Sequence, residues 1–136
     1  MVFYMNEATQ RIVFIFLNRP QTHSTLDEDI AWICKALGFA DDEKDLATFI
    51  FKSIISASKN GIGITSKEIA DQTHVTQAAI IYHLNLFIRT GLVVKLGRLY
   101  RLRAPTLDES FEELQYDLIN RLGKMRNIAQ KIDAQI

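Results

Sequence analysis

The chain has 136 residues and a mass of 15.6 kDa, which suits one compact domain with an appended helix and excludes a separate cofactor domain. Apolar residues make up 48% and charged residues 24%, an ordinary globular balance that excludes disordered, collagenous and low-complexity classes. Sixteen basic side chains offset sixteen acidic ones, and the single cysteine, Cys34, excludes an internal disulfide or a thiolate-rich metal site within one chain.

The longest apolar run, Ile12 to Leu17, is six residues long where a membrane span needs about 20, and no basic stretch precedes it, so a cytoplasmic protein is expected. Periodicity leaves that run open between a buried strand and the middle of a helix starting near Asn6; we take the helix. Three Thr-x-x-Glu boxes follow, at Thr25, Thr65 and Thr106, each offering a hydroxyl and a reciprocal carboxylate to the orphan N–H groups of a first helical turn. The first predicts a helix over 26–37, with Ile30, Ile33 and Leu37 on one face and Gly38 as its stop. A second helix is predicted from about Asp42 to Ser58, carrying Leu46, Phe49, Ile50, Ile54 and Ile55 at helical spacing and ending at Lys59-Asn60-Gly61.

After a short Gly61–Ile64 stretch with strand character, the second box predicts a helix over 66–73. His74-Val75 turns the chain, Thr76 caps a helix running to about Thr90, and Gly91 ends it. Residues 92–96 and 99–103 read as two strands around a Gly97-Arg98 turn, with Val94, Leu96, Tyr100 and Leu102 for the inner face. Pro105 breaks the chain, and the third box starts about thirty residues of uninterrupted helix.

Charge is not spread evenly. Residues 66–103 hold six basic and two acidic side chains, a local +4, whereas 1–65 and 104–136 each sit at −2. Helix, tight turn, helix and basic hairpin, in that order, is the pattern of a winged helix-turn-helix. The residues Ile64-Thr65-Ser66-Lys67-Glu68-Ile69-Ala70-Asp71, Val75-Thr76, His83-Leu84, Gly91-Leu92-Val93, Gly97-Arg98 and Tyr100-Arg101-Leu102 closely resemble regulators of the arsenical-repressor (ArsR) type, with the multidrug-resistance-repressor (MarR) type as a neighbour. The resemblance covers about residues 46–103 and implies a mainly α fold with a β-hairpin wing, a second helix that reads the major groove, and a dimerising C-terminal helix. The implied layout is an N-terminal helical extension over 1–41, the winged domain over 42–104 and a coiled-coil helix over 105–136. Ile81 departs from the small or polar residue usual in the family, and His83 sits where the family often has histidine before leucine.

Spacing alone assigns the faces of the reading helix. Val75, Ile80, Leu84, Phe87 and Leu92 can pack on Ile69 and Ala70. The opposite face offers Gln77, Ala78, Ile81, Tyr82 and Asn85: Gln and Asn can bridge adenine edges, and Ala or Ile can touch a thymine methyl. Lys67, Thr76, Lys95, Arg98 and Arg101 are candidates to hold phosphates, which position a protein without reading sequence. Leu86 and Ile88 are more apolar than a lone reading helix needs, so the N-terminal segment or a second subunit is expected to cover them.

In the last helix Leu107, Phe111, Leu114, Leu118, Leu122, Met125, Ala129, Ile132 and Ile136 recur every three or four residues, a coiled-coil stripe with one stutter between Leu114 and Leu122. Such a stripe needs a partner, and a homodimer is expected, with packing on the N-terminal helices or a different protein as the alternatives. His23, His74 and His83 are scattered, so neither metal nor cofactor is expected. No phosphate loop, zinc-protease motif or nucleophile elbow is present, and the acids Asp41 and Asp42 read as helix-dipole compensation, so no enzyme is expected. The expected function is a homodimeric, duplex-DNA-binding transcriptional regulator. The alternative is a winged helix used as a protein-interaction module.

Overall fold

The computed structural model describes residues 2–3, 14–15, 23–39 and 44–136. The chain is mainly helical, with a small three-stranded antiparallel sheet and a long C-terminal helix. Its elements are β1 (Val2–Phe3), β2 (Phe14–Ile15), α1 (Leu26–Ala36), α2 (Lys44–Lys59), β3 (Ile64–Thr65), α3 (Ser66–Asp71), α4 (Gln77–Thr90), β4 (Val93–Leu96), β5 (Leu99–Leu102) and α5 (Leu107–Gln135). No helix among the described residues is long and apolar enough to cross a membrane.

Local chemistry sets the helix starts. The Thr25 hydroxyl accepts from the Glu28 amide at 3.2 Å while the Glu28 carboxylate accepts from the Thr25 amide at 3.3 Å; Thr65 and Glu68 repeat the exchange at 3.1 and 3.3 Å. Two orphan donors are thereby satisfied at each start. Thr106 caps α5 through its hydroxyl at 3.1 Å. There the second anchor is Ser110, fully buried, whose hydroxyl donates to the Thr106 carbonyl at 2.8 Å and accepts from the Ala104 amide at 3.2 Å.

The N-terminal run differs from the expected helix. Phe14–Ile15 is a strand paired antiparallel with Val2–Phe3, not the middle of a helix; the rest of the helix expected from Asn6, and the acids Asp41 and Asp42, lie outside the described residues. Six consecutive apolar residues suit either conformation, so pairing with β1 decides what periodicity leaves open. The helix predicted over 66–73 ends two residues early, because the Thr73 hydroxyl donates to the Ala70 carbonyl at 3.2 Å and accepts from the Val75 amide at 3.1 Å, closing the turn instead of extending the helix.

The three-stranded sheet has the order β3-β5-β4. Val93 pairs with Leu102, Lys95 with Tyr100 and Leu96 with Leu99. Val93, Tyr100 and Leu102 are buried, so the inner face holds Val93, not the expected Val94 and Leu96, which lie on the outer face with Arg101. A one-residue shift of register moves every side chain of a strand to the other face. Lys95 falls on the inner side at the rim, its ammonium 5.5 Å from the Tyr100 ring centroid. The Ser58 hydroxyl, at the end of α2, accepts from the Leu102 amide at 2.8 Å and fastens the sheet to the helices.

The core gathers Ile30 and Cys34 of α1, Phe39 just after that helix, then Ile50, Phe51 and Ile54 of α2, Ile69 of α3, and Ile80, Leu84 and Phe87 of α4, with Leu92 and the inner sheet face. At its centre Phe87 stacks on Phe39 at 4.3 Å and on Phe51 at 4.7 Å between ring centroids. Leu86 and Ile88 are half-buried against this same cluster, so the chain's own core accounts for them without a second subunit. Burial pushes the Cys34 thiol up to about 12; the nearby Thr48 hydroxyl, which makes no hydrogen bond of standard geometry, works the other way.

Two outcomes test this packing. Phe87→Ala is expected to cost about 3–5 kcal/mol in urea unfolding, whereas Arg89→Ala, exposed on the same helix, stays within about 0.5 kcal/mol. Cys34 is neutral when protonated and its folded pKa is raised, so its contribution is fully present below pH 9 and is lost as pH rises towards 12. Wild-type stability then falls by about 1.4 kcal/mol per pH unit across that window relative to Cys34→Val. Parallel pH profiles for the two proteins contradict the assignment.

Candidate nucleic-acid interface

Helices α3 and α4 pack on each other across the tight turn of residues 72–76. The Thr76 hydroxyl caps α4 by accepting from the Ala79 amide at 3.2 Å. The Gln77 side-chain amide donates to the Ser66 hydroxyl at 3.0 Å, joining the first turns of the two helices. Of the sequence-predicted site residues, Thr76 and Gln77 therefore have structural duties before any ligand arrives.

The buried side of α4 carries Ile80, His83, Leu84 and Phe87. At 100° per residue the opposite side must carry Ala78, Ile81, Tyr82, Asn85 and Arg89. Ala78, Tyr82, Asn85 and Arg89 are exposed there, Tyr82 at 57%, and Ile81 is half-buried. Four of the expected reading residues thus share one outward face. Arg89 belongs to it as well and was not among the residues expected there, although its position four residues after Asn85 was the available signal. His83 is excluded from that face: its Nδ1 donates to the Ala79 carbonyl at 3.0 Å, and its ring lies edge-on to Tyr82 at 5.5 Å.

The basic candidates separate into two groups. Arg98, at the β4–β5 turn, and Lys95 are exposed. Lys67 is exposed but paired with Asp71 at 3.3 Å, a surface contact of small worth. Arg101 donates to the Gly61 carbonyl at 3.1 Å, bracing the turn after α2. Arg103 is occupied within the fold, where its guanidinium pairs with Asp117 at 2.7 Å and Glu113 at 3.0 Å and reaches the Gly91 carbonyl at 3.5 Å. Hydrogen bonding to Asp117 first, and then to Glu113, raises its pKa above the ordinary arginine value. Arg103 counts towards the local +4 of residues 66–103 but was not among the expected phosphate contacts, and the sequence does not show that α5 brings two carboxylates to it.

Gly91 completes the junction. Its φ of +90° favours glycine, and a Cβ there would lie 3.0 Å from the end of the Leu114 side chain of α5, tighter than an ordinary contact. Of the predicted dimerisation residues, Leu107, Phe111 and Leu114 rest on the chain's own core and Leu118 is half-buried. Leu122, Met125, Ala129, Ile132 and Ile136 are exposed, Met125 at 64% and Ile132 at 50%.

Among the described residues no three His, Cys, Asp or Glu side chains gather where a metal would bind. The geometry offers an exposed helix face with amide, phenol, methyl and guanidinium groups, next to a hairpin tipped with cations. Comparison with protein families, with characterised proteins and with solved structures returns no match for the chain.

Because Gln77 links two helices, Gln77→Ala is expected to lower the stability of the free protein by about 0.5–1.5 kcal/mol, the net worth of one hydrogen bond, while Asn85→Ala leaves it unchanged. Equal melting temperatures for Gln77→Ala and wild type would remove this link from the description.

Proposed function

We propose that residues 42–104 form a winged helix-turn-helix of the arsenical-repressor type, and that the protein binds duplex DNA as a homodimer and regulates transcription, most simply by excluding polymerase from a promoter. The observation that carries this reading is the outward face of α4. Ala78, Ile81, Tyr82, Asn85 and Arg89 stand together on a helix whose other side is locked into the core, so the polar and methyl groups suited to base edges are presented rigidly. Lys95 and Arg98 on the following hairpin supply sequence-independent phosphate contacts. The exposed half of the α5 stripe is the feature that supports a homodimer.

A second reading, a winged helix that binds protein, is favoured by the outer face of the sheet, where Leu96 is 51% exposed beside half-buried Val94 and Leu99. Leu86 and Ile88 add nothing to it, because they are half-buried against the chain's own core.

Salt dependence separates the two. Binding to mixed-sequence duplex DNA is expected to weaken steeply as salt rises, because phosphate contacts release counterions. Lys95→Ala combined with Arg98→Ala makes the log–log slope shallower by about 2 per domain, and Asn85→Ala costs about 1–3 kcal/mol on a selected site and much less on random DNA. A flat slope, or no binding at low salt, transfers support to the protein-binding reading.

A further inference from the structure

A half-open groove of about 280 Å³ runs between the end of α4 and α5. Its floor is aliphatic: Ile88 and Leu114 pack on the core, and Leu118 is half-buried. Three elements bring guanidinium groups to its walls, Arg89 from α4, Arg103 from just after β5 and Arg121 from α5. The other polar side chains there are already engaged. The Thr90 hydroxyl donates to the Phe87 carbonyl and accepts from the Leu92 amide, and Asp117, the one carboxylate on the wall, accepts from Arg103 at 2.7 Å. Arg103 is fixed by Asp117, Glu113 and the Gly91 carbonyl, which take three of its N–H groups; a guanidinium has about five, so two remain. Arg89 and Arg121 are exposed, and neither forms an ion pair or side-chain hydrogen bond among the described residues.

We propose that this groove binds a small organic anion, a molecule with one phosphate or carboxylate head on an apolar body. Arg89, Arg121 and the spare N–H groups of Arg103 hold the head through charge-assisted, fork-like hydrogen bonds, and the body covers Ile88, Leu114 and Leu118. Each alternative leaves part of the groove unmatched. A bare inorganic anion leaves the aliphatic floor wet, a neutral apolar molecule desolvates guanidinium ions without replacing their water, and a duplex phosphate has no use for an apolar floor. Under the DNA-binding reading, on which only this step rests, occupancy also regulates. Arg89 stands on the outward face of α4 with Asn85, and one guanidinium cannot serve a backbone phosphate and the groove ligand together, so the bound anion weakens duplex binding.

The probes are naphthyl phosphate and naphthoate, with naphthamide and inorganic phosphate as controls, titrated into the full-length chain carrying methyl-labelled isoleucine and leucine. A naphthyl anion is expected to saturate below about 1 mM and to shift the methyl resonances of Ile88, Leu114 and Leu118, while both controls bind roughly tenfold more weakly or worse. Arg89→Ala and Arg121→Ala each weaken the probe roughly tenfold at unchanged melting temperature. Arg126→Ala, about 140° around α5 from Arg121, leaves it unchanged. Equal binding of naphthamide, equal binding of inorganic phosphate as an adventitious ion only, or saturation indifferent to both arginine variants overturns the proposal. So do two other occupants: groove methyls that move with protein concentration and not with probe give the groove to a second copy, and a shallower salt slope of duplex binding in Arg121→Ala, with no probe bound by wild type, gives it to a DNA phosphate. At constant ionic strength, saturating naphthyl anion is expected to weaken duplex binding by wild type roughly tenfold and to leave Arg89→Ala unaffected. Unchanged duplex affinity with the probe bound refutes the coupling and leaves the site standing. Absence of duplex binding at low salt refutes the DNA reading, and the groove titration still decides the site.

Discussion

The position of Phe87 decides the arrangement of everything around it. Its ring is held between Phe39 and Phe51, so the chain after α1, helix α2 and helix α4 meet at one side chain from each. A helix fixed by one buried aromatic and flanked by buried Ile80, His83 and Leu84 has no rotational freedom about its axis, because turning by one residue would bring a polar side chain into the core at a cost of several kcal/mol. The outward face is therefore a consequence of the inward one. Asn85 and Arg89 face solvent because Leu84 and Phe87 cannot.

A second junction transmits that rigidity. Gly91 ends α4 in a conformation that side chains avoid and admits Leu114 to within 3.0 Å of the missing Cβ position. Arg103 then joins the end of β5 to α5 through two carboxylates and touches the Gly91 carbonyl. A single exposed ion pair contributes little, but a guanidinium shared by two carboxylates and a carbonyl constrains direction as well as distance. Helix α5 consequently leaves the body along a defined line set by the same residues that terminate α4.

Much of this was legible in the sequence because it is local. Thr25, Thr65, Thr76 and Thr106 cap the helices they were expected to cap, and Gly38 and Gly91 lie just past the ends of α1 and α4. Features set by distant partners were not legible. The segment Leu92-Val93-Val94 contains no polar residue to mark its faces, and the inner side is chosen by pairing of Val93 with Leu102. Likewise Ile12 to Leu17 carries no periodicity, and its two described residues are strand because β1 lies beside them. Arg98, Arg101 and Arg103 are chemically identical in the sequence, yet a carbonyl forty residues away claims one and two carboxylates on α5 claim another. On the candidate face, the helical period was enough to place Ala78, Ile81, Tyr82 and Asn85, while the bond from Gln77 to Ser66 depends on how α3 and α4 cross.

Removing the occupied cations from the local +4 changes the electrostatics of the proposed interface. Arg101 and Arg103 are held by the fold and Lys67 is paired with Asp71, which leaves Arg89, Lys95 and Arg98 as the cations of this segment without such a partner. Each phosphate contact adds about 0.9 to the salt slope of binding, so about three contacts per domain release few counterions and give one domain only weak, nonspecific affinity. In the proposed homodimer two domains would double the number of contacts, and the second would engage at an effective concentration fixed by how α5 joins them. Under the proposed reading, the small number of free cations makes pairing through α5 necessary for useful DNA affinity, and the stiffness of the Gly91–Arg103 junction makes the spacing between the two reading helices a property of the protein.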